Sequence, residues 1–147
     1  MKFRSLLVLL VLGMLASGVT AHASNCSNLT IKGIYAFTVH GQILLNNGAP
    51  PLSVNGVAQT TFDGYGNLTQ IDAVAVSGGL APGWRPGSGS YSVNSDCTGT
   101  MTILNAGMAP LNLQILVAQS GKTIHTVVTD PGFAVSSEAE RVFTLSK

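Results

Sequence analysis

Six acids, seven Lys and Arg and three histidines carry most of the ionisable chemistry of this 147-residue chain, so each can be weighed by its position. Asp63, Asp96 and Asp130 each stand in a run of Gly, Asn, Ser or Pro, where a carboxylate ordinarily caps the backbone of its own turn. Asp72 is different. It lies in a β-rich run whose alternate residues are Leu68, Gln70, Asp72, Val74 and Val76 on one face and Thr69, Ile71, Ala73 and Ala75 on the other. Hydropathy does not choose between those faces. Facing out, Asp72 is an ordinary solvated acid, the preferred reading; facing in, it must be paired, protonated or wetted. Arg141 poses the same question, because alternation puts Ala139, Phe143 and Leu145 on its face. If both point inward, an Asp72–Arg141 pair would give an apolar interior one polar spot able to orient a ligand head group. A purely structural ion pair, or an Arg141 that snorkels outward, uses the same residues.

His40 and His125 show no H-x-H or H-E-x-x-H spacing, and the zinc geometries need a third ligand. Ordinary strand or rim positions are expected for both, with no metal and no cofactor. No G-x-S-x-G, phosphate-cradling loop or paired-carboxylate constellation is present, so no catalytic residue is assigned. The aromatic side chains suggest walls instead. Tyr35, Phe37, Trp84 and Tyr91 are the candidates for contact with an apolar molecule. Trp84 sits beside Arg85 in a Gly/Pro-rich segment, where it is expected either to plug one end of the core or to form a lid over it.

The elements that position these residues belong to an exported protein. Lys2 and Arg4, the apolar run Leu6 to Leu15 and the Ala21-His22-Ala23 site have the order of a signal peptide. Residues 1–23 are read as that signal and 24–147 as one domain. Much of the mean hydropathy of +0.38 belongs to the leader. Its loss also turns a formal charge of +1 negative. That balance excludes the basic footprint of a nucleic-acid binder, and the remainder holds no apolar run long enough for a second membrane span. Cys26 and Cys97 are expected to form one disulfide in the periplasm or outside the cell. Asn25, directly before Cys26, argues against a lipid-anchored cysteine.

The mature chain lacks helical periodicity. Runs rich in Val, Ile, Thr and aromatics predict strands at Gly33–Gln42, Val57–Asp63, Leu68–Ser77, Gly89–Val93, Cys97–Leu104, Leu111–Gln119, Lys122–Thr129 and Ala139–Leu145. Phe133–Glu138 is open between strand, loop and a helical turn. The Gly78–Gly87 segment is read as loop throughout. Short links imply antiparallel neighbours. An eight-stranded meander removes its edges by closing into an up-and-down barrel, wide enough to be filled by side chains or to hold one small ligand. A two-sheet β-sandwich is the alternative.

Three stretches together carry a resemblance: Gly33-Ile34-Tyr35-Ala36-Phe37, then Thr61 to Leu68, then Gly89 to Thr100. The chain from about Cys26 to Leu145 resembles a group of small secreted bacterial proteins of unknown function, with a calycin-type, allene-oxide-cyclase-like β-barrel. The resemblance implies a barrel able to hold something. No stretch matches the functional residues of the plant cyclases, so none is carried over. The expected function is a non-catalytic binding module for a small apolar molecule. A packed structural or surface-interaction protein is the first alternative, and a cyclase or isomerase using the lumen is the second. Interior volume separates the binding and packed readings.

Overall fold

The computed structural model describes residues 25–46, 48–79 and 83–143. The leader and its cleavage site lie outside the described residues, as do Leu145 and part of the loop before Trp84. Among the described residues, strands β1 Gly33–Ile43, β2 Leu52–Phe62, β3 Asn67–Val76, β4 Arg85–Val93, β5 Thr98–Asn105, β6 Leu111–Ala118, β7 Thr123–Val128 and β8 Phe133–Phe143 follow in order. Each pairs antiparallel with the next, and β8 pairs with β1, so the sheet closes into a barrel. The sandwich is therefore excluded.

The elements differ from the sequence reading at three ends. The open segment Phe133–Glu138 is strand, paired with β1 through Ile43↔Phe133 to Thr38↔Glu138. β2 starts five residues before Val57, at Leu52. β4 starts at Arg85, so Arg85, Pro86 and Gly87 are strand and not loop. Proline is tolerated there because Pro86 pairs only with β3, opposite Ile71, while the β4–β5 ladder begins at Gly87. Its missing N–H faces no neighbour.

The inward rows of β2 and β4 carry large side chains at one end and small ones in the middle. β2 points Phe62, Thr60, Ala58, Gly56 and Val54 inward, and β4 points Val93, Tyr91, Gly89, Gly87 and Arg85. Large side chains therefore meet at one end. There Phe62 stands edge-to-face between Tyr35 and Tyr91, at ring distances of 5.4 and 4.9 Å. Ile31, from a short 3-10 helix Asn28–Ile31 before β1, is fully buried against this cluster. Asn28 holds the helix in place by accepting the Val93 N–H at its side-chain oxygen, 2.8 Å away. The disulfide Cys26–Cys97 ties the same segment to the β4–β5 turn. This end is corked.

Candidate functional site

The opposite half of the lumen is not filled. A cavity of about 430 Å³ opens at the end where odd strands finish and even strands begin. Phe37, Val54, Val74, Met101, Leu113 and Val135 give it apolar walls, with Met108 and Phe133 at its mouth. The small inward residues of β2 and β4 leave this space.

One polar cluster interrupts the apolar wall, and it centres on Asp72. The inward row of β3 is Leu68, Gln70 and Asp72, all buried, while Thr69 and Ile71 face solvent. The preferred reading of Asp72 as a solvated acid is therefore corrected: it is 4% exposed. Barrel register supplies its partners. Asp72 lies directly opposite Arg85, whose Nε donates to Oδ1 at 2.7 Å. Gln70 Nε2 and Asn105 Nδ2 donate to Oδ2 at 3.1 and 3.3 Å. Gly87 stands between Gln70 and Asn105 in the ladder. A Cβ there would lie 2.3 Å from the Asn105 side-chain oxygen, so only glycine lets that amide reach across. The same Asn105 oxygen is buried and has no hydrogen-bond partner. Lower on the walls, Thr126 and Ser137 hydroxyls bond each other at 2.7 Å, and Thr60 faces Gln70.

Arg141 does not meet Asp72. The end of β8 lies at the corked end, whereas Asp72 lies in the open half. Arg141 Nε and Nη2 donate to the Tyr35 hydroxyl at 2.9 and 2.7 Å, and Nη2 also donates to the Thr30 carbonyl. Tyr35 in turn donates to the Gly121 carbonyl. Desolvation raises the Tyr35 pKa, partly countered by the hydrogen bond and charge of Arg141. A bulge between Ile34 and Tyr35 leaves Val142 unopposed, and Phe143 falls opposite Ile34. Strict alternation fails there. Phe143 is exposed despite sharing the parity of Arg141.

Of the proposed wall residues, the structure places Phe37 on the cavity. Tyr35 and Tyr91 belong to the cork, Tyr91 accepting the Gly64 N–H at 2.8 Å; desolvation raises its pKa. Trp84 is 62% exposed beside the mouth, so it does not plug the core. His40 and His125 are exposed, and no cluster of metal-ligating side chains occurs among the described residues. Sequence reasoning missed Arg85, Gln70 and Asn105. The signal for Gln70 was its place on the Asp72 face; Arg85 was hidden by its Pro/Gly neighbours.

No family model matches the chain, and no curated protein matches it. A solved structure described as the de novo design of a fluorescence-activating beta barrel is similar over 75% of this chain and 92% of that one. The TM-score is 0.49 at 14% identity. Among the described residues, no helix is long and apolar enough to cross a membrane.

Proposed function

We propose that the chain is an exported, single-domain binding protein that holds a small, mostly apolar molecule in the open half of its barrel. The observation that carries this reading is the apolar cavity of about 430 Å³, corked at one end and open at the other. Its size falls within the roughly 300–1,000 Å³ of small-molecule sites. A barrel packed to ordinary interior density would leave no such space, so the packed structural alternative lacks support. The signal-like residues 1–23 and the Cys26–Cys97 bridge support an oxidising compartment, periplasmic or extracellular. The resemblance to secreted calycin-type barrels belongs to the same reading.

A filling substitution tests it. Ala58 lines the cavity opposite Asp72 in the β2–β3 ladder. Titration of the isotope-labelled protein with methyl octanoate, followed by amide NMR, should move resonances of Phe37, Val74 and Met101. Ala58→Phe should keep the dispersed barrel spectrum and weaken binding about tenfold or more, the loss of roughly 1.4 kcal/mol of contact. A folded Ala58→Phe variant that binds as well as the parent would move the ligand out of the lumen.

A further inference from the structure

Resting on that reading, we infer that the polar spot selects an uncharged ligand bearing a hydrogen-bond acceptor, such as an ester or ketone, over fatty anions or amines. Asp72 offers two oxygens, and three N–H groups already hold them: Arg85 on one, Gln70 and Asn105 on the other. The carboxylate has little left to offer a ligand donor, and the unpaired Asn105 oxygen, fully buried where it packs over Gly87, is closed to one as well. Arg85 is the reverse. Its guanidinium carries five N–H groups. Nε is engaged by Asp72, and Nη1 reaches only the Met108 sulfur, at 3.6 Å. Thioether sulfur is a weak acceptor. Among the described residues, the remaining guanidinium hydrogens have no acceptor. The Arg85 side chain is 31% exposed against 6% for Asp72, so the available donors lie on the mouth side of the pair.

Charge then decides among acceptors. Asp72 and Arg85 cancel, which leaves the cluster neutral. A bound carboxylate would place two anions on one guanidinium within an apolar wall, where like charges disfavour each other. An ammonium would meet the guanidinium first. A neutral carbonyl oxygen accepts from Arg85 without disturbing the ion pair, while its chain lies along Phe37, Val54 and Val74.

Four octyl-type probes test this by the same NMR titration at neutral pH: methyl octanoate, octanoate, octylammonium and octane. Methyl octanoate should bind about tenfold tighter than each of the others, and its binding should shift the Arg85 Nε–H resonance. Asp72→Asn removes the anion and leaves Arg85 uncompensated, so octanoate should then overtake the ester. Because that variant changes a buried cluster, Arg85→Lys supplies a second reading: with its charge kept and its forked donors lost, the ester advantage should shrink severalfold. Tighter binding of octanoate than ester by the parent would overturn the inference while leaving a lumenal site intact. So would an ester advantage left undiminished in both variants. Absence of binding by all four would instead remove the lumenal-binding reading, and the inference with it.

Discussion

At the scale of single residues, the two inward arginines belong to different halves of the barrel, Arg85 to the open cavity and Arg141 to the corked end. Arg141 connects β8 to the Thr30 carbonyl and to Tyr35, which continues to Gly121. Gly121 has φ +84°, and a Cβ there would lie 2.2 Å from the Thr30 carbonyl oxygen, so the backbones meet where no side chain fits. Arg141→Met keeps the length of the side chain and removes its donors. It should cost about 1–3 kcal/mol through the buried acceptors left unpaired. Tm should fall on the order of 5–10 °C. Affinity for methyl octanoate should stay within about threefold of the parent, because the cavity lies in the other half; threefold is less than 1 kcal/mol. Loss of affinity in a fully folded Arg141→Met protein would return this residue to the ligand site.

At the scale of elements, three turn carboxylates begin or join strands. Asp63 accepts from the Tyr65 and Asn67 backbones and from the Asn67 side chain. Desolvation pushes its pKa up, and the hydrogen bonds from Asn67, Tyr65 and Gly66 outweigh this and lower it. Hydrogen bonds from Thr98 to Asp96, and from Asn112 to Asp130, lower those two. Folded values below the unfolded value of about 3.9 mean that each group adds stability fully present above that pH. The contribution is lost as pH falls through the folded values. Thermal melts should therefore show a steady Tm from about pH 7 to pH 5 on account of these groups, and a decline below about pH 4. Asp63→Asn should flatten part of that decline; an equally steep fall would remove Asp63 from the acid response. These turns also explain how much was legible. Asp63-Gly64-Tyr65-Gly66 and Asp130-Pro131-Gly132 mark their hairpins in sequence, and Leu111, Leu113, Ile115 and Val117 mark their inward face. β3 was ambiguous because both its rows mix polar and apolar residues, and its inward row lines a cavity with a polar spot. The partner of Asp72 was hidden for another reason: register, not local composition, brings Pro-flanked Arg85 into a strand.

At the scale of the whole molecule, closure makes two different halves from one continuous sheet, and the disulfide belongs to only one of them. Cys26 precedes the 3-10 helix that carries Ile31 into the core, and Cys97 ends the β4–β5 turn. Their separation of 71 residues makes the bridge a long-loop constraint on the unfolded chain. The chain-entropy estimate for such a loop is about 4 kcal/mol, within a usual range of about 2–4 kcal/mol for disulfides. The barrel ladder does not run through Cys26, so strand pairing survives without the bridge. The cork is held independently by Asn28 on Val93 and by Arg141 on Thr30. Cys26→Ser/Cys97→Ser should therefore keep the β-rich circular-dichroism spectrum and lower Tm on the order of 10 °C. The same fall should follow reduction of the parent protein and should not follow reduction of the double variant. Methyl octanoate should still bind the folded double variant with its affinity within about threefold, a change below 1 kcal/mol. An unchanged Tm in both experiments would mean that the hydrogen bonds of the 3-10 helix alone hold the cork. A lost binding signal in a folded variant would mean that the two halves of the lumen are coupled through the core between Phe62 and Phe37, whose rings lie 6.5 Å apart.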